Sequence, residues 1–70
     1  MTLDCADTES KYTIKEINTT DEELKAFLFS LGCYSGEVIF VVSKKKKNLI
    51  LAIKDAKYNI DIDLAKAIIV

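Results

Sequence analysis

Thr20–Val42 reads TDEELKAFLFSLGCYSGEVIFVV, and its reading decides the fold. Leu24, Phe27, Leu28 and Leu31 recur at i, i+3, i+4 and i+7, which predicts one apolar helix face. Thr20 followed three residues later by Glu23 predicts a capping box, with Asp21 and Glu22 favourable at the positive end of the helix dipole. Gly32 stands where a helix ends by taking a positive φ, so Cys33 is expected to close over Leu28. Ser35-Gly36 predicts a tight turn. Beyond it the chain is β-branched and aromatic. A strand from Glu37 to Ser43 would place Val38, Phe40 and Val42 on one face and Ile39 and Val41 on the other. Both faces are apolar, which predicts a strand covered on both sides.

The rest of the chain reads as short strands returning to that unit. Met1–Ser10 has only Leu3, Cys5 and Ala6 as apolar anchors and is expected to be a loosely ordered lead-in carrying at most one short turn or edge strand. Lys11–Asn18 (KYTIKEIN) predicts a strand with Tyr12, Ile14 and Ile17 toward the core and a bulge or bend near Glu16. Lys44–Lys47 and Asn48 separate two apolar runs and predict a hairpin tip. Leu49–Lys54 is the return strand, Asp55-Ala56 a turn, and Lys57–Ile60 a further strand with Tyr58 and Ile60 inward. Asp61–Lys66 suits a single 3₁₀ or α turn, and Ala67–Val70 a final, paired strand. The fold class is therefore mainly β. About five short strands and one inserted α-helix, about 20–31, form a small SH3-like, partly open barrel.

The totals narrow the function. Seventy residues, half of them hydrophobic, make a single domain with a small core, 1–70. Net charge is −1 and every one of the ten positive charges is lysine, whereas a duplex-DNA binder is usually more basic and uses arginine. The absence of histidine removes the commonest metal ligand and neutral-pH base. Cys5 and Cys33 are too few and too far apart to read as a disulfide scaffold. The acidic, polar first ten residues do not read as a signal peptide, and no apolar run has the length of a membrane span. These features predict a cytoplasmic protein. No phosphate loop and no nucleophile–base spacing is present, so no catalytic residue, metal ligand or cofactor is expected.

Leu28–Val38, L-F-S-L-G-C-Y-S-G-E-V, resembles the FeoA family pattern R-L-x-x-L-G-h-x-P-G-x-x-V, shifted by one position at the final Val. Ile60–Val70 resembles that family's closing turn and terminal A-x-x-I-x-V strand, and Leu3, Ile14 and Ile17 fall where it places its first leucines and strand. The related domain is the SH3-like C-terminal module of DtxR-type metal-dependent repressors. Departures are Glu9 where a Gly is usual, Phe27 for an Arg, Ser35 for a Pro, and a shorter hairpin at Lys44–Lys47. The resemblance implies an accessory protein of ferrous iron uptake. It would act on the cytoplasmic, GTP-binding part of the FeoB transporter by protein contact, without binding GTP itself. Other readings are an SH3-like interaction module of a metal-responsive regulator and a small-barrel nucleic-acid binder.

Candidate contact residues are Phe29, Cys33, Tyr34, Lys44, Lys45, Lys46 and Lys47. Phe29 lies off the helix stripe and is either an exposed aromatic anchor or a core residue of a more widely buried helix. Tyr34, between two glycines, reads as exposed or as cover for a core edge. The lysine run reads most simply as a solvated tip that blocks edge pairing. Its functional reading is a docking patch for an acidic partner, anionic lipid or RNA. Cys33 also reads as a small core residue. Asp21–Glu23 are explained by capping, and Asp61 with Asp63 lacks the further oxygens of a cation loop.

Overall fold

Asp21 sets the start of helix α1 (Glu22–Ser30) in the computed structural model, which describes all 70 residues. Its Oδ1 accepts from the backbone N–H of Glu23 at 3.0 Å and of Leu24 at 3.2 Å. The expected cap, Thr20, lies outside the helix, and the Thr19 hydroxyl accepts from the Asp21 N–H at 3.1 Å. Aspartate is at least as good a cap as threonine, and its charge also gains from the helix dipole. The end matches expectation. Gly32 takes φ +98°, its N–H donates to Phe29 O at 3.0 Å, and the Cys33 N–H donates to Leu28 O at 3.0 Å. This pair of bonds is a Schellman ending. A Cβ on Gly32 would also meet Ile53 Cγ2 at 3.3 Å.

α1 is held to the core by few side chains. Leu28 alone is fully buried, with Leu24 and Leu31 half-buried beside it. Phe27, expected on the same face, is 47% exposed. The buried stripe therefore follows i, i+4, i+7 from Leu24, and the i+3 position falls on its solvent edge.

Ser35-Gly36 forms the predicted turn. The Glu37 N–H donates to Tyr34 O at 3.0 Å with Gly36 at φ +91°, a type II geometry. The chain then enters β3 (Val38–Lys44), which pairs antiparallel with β1 (Ser10–Thr13) and with β4 (Asn48–Ile53). β5 (Ala56–Asp61) completes a sheet of order β1-β3-β4-β5. The predicted hairpin tip at Lys44–Lys47 joins β3 to β4, closed by the Lys45 N–H on Asn48 O at 2.8 Å. The second hairpin turns at Lys54-Asp55, one residue earlier than expected, because Ala56 already pairs with Ile53. Lys54 takes φ +56° there, as a two-residue hairpin loop demands.

Six strands form in two sheets, where about five were expected. The stretch read as one bent strand, Lys11–Asn18, is two. β1 stays in the large sheet, and β2 (Glu16–Ile17) pairs with the C-terminal β6 (Ile68–Ile69). Ile14, fully buried at the break, bonds across to Glu37 and Gly36 backbone at 2.8 and 2.7 Å. A short helix α2 (Ile62–Ala65) fills the predicted turn between β5 and β6.

The N-terminus has the short turn and edge pairing that were open to it, but it is tightly packed and not a loose lead-in. Leu3 and Ala6 are fully buried, and Leu3–Cys5 forms a 3₁₀ turn. Thr2 bridges Ile69, and the Val70 N–H donates to Met1 O at 2.8 Å. Burial of Leu3 and Ala6 and edge pairing with β6 are enough to order a segment that has no periodicity of its own. β3 also differs. Ile39 and Val41 are fully buried, but Val38 is 52% exposed and Phe40 and Val42 only half-buried. The barrel covers one face of that strand and leaves the other outward.

The positive-φ positions make a stability test. Glu9 takes φ +57°, the conformation that suits the glycine usual at this place in the FeoA pattern. Glu9→Gly is expected to raise unfolding stability by about 0.5–1 kcal/mol, the relief of left-handed strain less the entropy a glycine adds to the unfolded chain. Gly32→Ala is expected to lose about 2 kcal/mol, from its φ and the Ile53 contact. Urea denaturation of both variants checks the pair. A destabilised Glu9→Gly would mean that the Glu9 side chain contributes more than its backbone costs.

Candidate interaction site

The helix ending aims the candidate residues in opposite directions. After Gly32 reverses the chain, Cys33 turns inward and Tyr34 outward. Phe29 and Tyr34 are 37% and 45% exposed, and their rings meet with centroids 5.6 Å apart at an interplanar angle of 32°. Lys25, one turn before Phe29 on the same helix side, holds its Nζ 5.9 Å from the Phe29 ring centroid. The result is a small aromatic platform with a cation at its edge. Phe29 is the exposed member of its two sequence readings.

Cys33 does not belong to this surface. It is fully buried, and burial pushes its thiol from an ordinary 9.0 up to about 11. As a contact residue it is corrected to a core residue, since a Schellman ending points the residue after the glycine back onto the helix.

The lysine run divides as well. Lys44 Nζ donates to the backbone carbonyls of Asp4 at 3.1 Å and Ala6 at 3.0 Å, tying β3 to the N-terminal turn. Lys45, Lys46 and Lys47 are exposed and take part in neither of the ion pairs present, Lys54–Glu37 at 4.0 Å and Lys66–Asp63 at 3.6 Å. The aromatic pair lies at the end of α1 and the lysine tip on the β3–β4 hairpin, and no hydrogen bond or ion pair joins them. Sequence reasoning missed the tie made by Lys44, which no local pattern announces, because its acceptors are some forty residues away. No three His, Cys, Asp or Glu side chains converge as a metal-binding group. No helix is long and apolar enough to cross a membrane.

The two cysteines are expected to separate in reactivity. In the native protein at pH 8 a thiol reagent should label Cys5, which is exposed, while Cys33 reacts only on unfolding. The raised Cys33 pKa also carries a pH sign. Above about pH 9 the unfolded thiol ionises first, so this contribution to stability is lost as pH rises from 9 toward 11. Comparing the alkaline stability of the native chain with that of Cys33→Ala isolates it. An equal fall in both would remove Cys33 as the cause.

The fold matches solved structures along almost its whole length. A structure described as a manganese-dependent transcriptional repressor superposes with TM-score 0.89 at 18% identity, over 97% of this chain and 39% of the repressor. The FeoA of Stenotrophomonas maltophilia, solved with zinc and described as a prokaryotic SH3 domain protein, gives 0.87 at 19% identity over 99% of this chain and 87% of its own. An iron uptake regulatory protein, FeoA, gives 0.88 at 19% identity, covering 97% and 91%. At such identities the likeness establishes the small SH3-like fold. A search of curated protein sequences finds no match. The FeoA domain model matches residues 1–70. This chain therefore belongs to the FeoA domain family.

Proposed function

We propose that this protein is a small cytoplasmic accessory factor of ferrous iron uptake that acts by contact with the GTP-binding part of a FeoB-type transporter. The observation that carries this reading is the FeoA domain match across all 70 residues. The surface is suited to action by contact: an aromatic pair and three lysines face solvent. Phe29 and Tyr34 supply a desolvatable anchor of the kind that concentrates binding energy. Lys45, Lys46 and Lys47 supply a positive rim that speeds encounter with an acidic partner. Lys44, held by the N-terminal carbonyls, serves the fold first.

A second reading is favoured by one observation, the superposition of nearly the whole chain on part of a manganese-dependent repressor. In it the protein contacts a metal-responsive DNA-binding protein in the manner of a detached regulatory domain. Neither α1 nor α2 offers a helix pair for a DNA groove, so in this role the DNA contact is made outside these 70 residues.

Calorimetric titration against the cytoplasmic part of the FeoB encoded in the same cell, with and without guanine nucleotide, tests the first reading. Saturable binding is expected. Phe29→Ala should weaken it about tenfold, or 1.4 kcal/mol, while the melting temperature moves by less than about 4 °C. Absence of binding at about 100 µM would reject the transporter reading. The same titration against the cell's metal-dependent repressor would then decide the second.

A further inference from the structure

The strand register sets four residues in one row across the large sheet: Lys11 on β1, Phe40 on β3, Ala52 on β4 and Lys57 on β5. Their neighbours along each strand, Tyr12, Ile39, Val41, Leu51 and Ile53, face the core, so this row faces outward. Val38 and Ile50 flank it on the same side. Phe40, Val42 and Ile50 are half-buried against the sheet but do not pack on the core cluster, and Val38 is 52% exposed. Each of these side chains keeps part of its surface open to solvent. The face is an apolar strip along the two central strands with a lysine on each flanking strand.

The charges identify what fits. A second copy laid face to face would bring the Lys11 and Lys57 edges of both copies together, which like charges oppose. A flat anionic membrane would need apolar groups that project, and Phe40 and Ile50 lie half-sunk in the pleat. Three strand spacings separate Lys11 from Lys57, about 14 Å. An α-helix is about 10–12 Å across, so one lying along β3 and β4 sits between the two lysines. From Val38 to Val42 the strip runs about 13 Å, or between two and three helical turns. The only carboxylate on the outward side of these paired strands is Asp61, opposite Asn48 at the hairpin end, away from the lysine row.

We propose that the outward face of this sheet is a docking surface for an amphipathic helix of a partner protein, with apolar residues on Phe40 and Ile50 and Glu or Asp side chains along both edges reaching Lys11 and Lys57. This surface is separate from the Phe29–Tyr34 platform, and its test needs no transporter.

The probe is an 18-residue helical peptide with leucines on one face and glutamates on both edges. Its control is the same peptide with the edge glutamates replaced by lysine. Titration into the full chain, followed by amide chemical shifts, should give saturable binding of the glutamate peptide about tenfold tighter than the lysine peptide, with shifts centred on Lys11, Phe40, Ala52 and Lys57. The double substitution K11E/K57E, at two exposed residues, should reverse the preference without changing the circular dichroism spectrum. Phe40→Ser should abolish both. Equal affinity for the two peptides, or shifts centred on Phe29 and Tyr34, would overturn the proposal. So would self-association that Phe40→Ser removes, or binding to phosphatidylserine vesicles without binding to the peptide.

Discussion

Closure of the chain by its own last residues is the constraint on which this fold depends. β6 is only Ile68–Ile69, yet it is bonded on both sides. Lys15 and Asn18 N–H groups donate to Ile69 and Ala67 carbonyls at 2.7 Å each, while Thr2 and Met1 pair along the other edge. Ile68 is fully buried between them. A strand of this apolarity with a free edge would be a site for aggregation. Held between β2 and the N-terminal residues, it closes the small sheet and fixes where the first six residues lie. The ordering of Leu3 and Ala6 follows from that closure and not from any propensity of the lead-in.

The helix is attached to this frame by a small number of restraints acting together. Asp21 holds its first turn, the Schellman bonds at Gly32 hold its last, and Leu28 anchors the middle. Gly32 is required twice, by its positive φ and by the approach of Ile53. Because so little of α1 is buried, its remaining surface stays available. The reversal that buries Cys33 also turns Tyr34 out beside Phe29. The exposed Phe29–Tyr34 pair is thus a by-product of how the helix stops.

The sheet divides its two faces by the same economy. A core this small can be covered on one side only, so Ile39, Val41 and Leu51 are enclosed while Phe40 and Ile50 are left outward. Lys11 and Lys57 stand at the margins of that outer strip. Charge at the edge of an apolar face both protects it and selects what can cover it.

The local signals of this chain were legible without a structure: the helix and its glycine stop, the turn at Ser35-Gly36, the lysine hairpin tip, and the short turn before the last strand. Each rests on interactions between residues close in sequence, where spacing and side-chain type suffice. The FeoA resemblance of Leu28–Val38 is readable for the same reason, and its N-terminal part sets Glu9 where a glycine is usual, at a position of positive φ. What sequence left open depends on pairings far apart in the chain. The break of Lys11–Asn18 into two sheets is set by Ile14 meeting Glu37 and Gly36. The helical spacing put Phe27 on the buried face, yet it lies at the solvent edge, 47% exposed, because the packed stripe is narrower than the apolar pattern. The tie of Lys44 to Asp4 and Ala6, the inward turn of Cys33 and the uncovered face of β3 all follow from how the barrel closes. Sequence determined the elements, since those are local; tertiary structure alone decided which apolar faces would be covered, since burial depends on partners that only closure brings together.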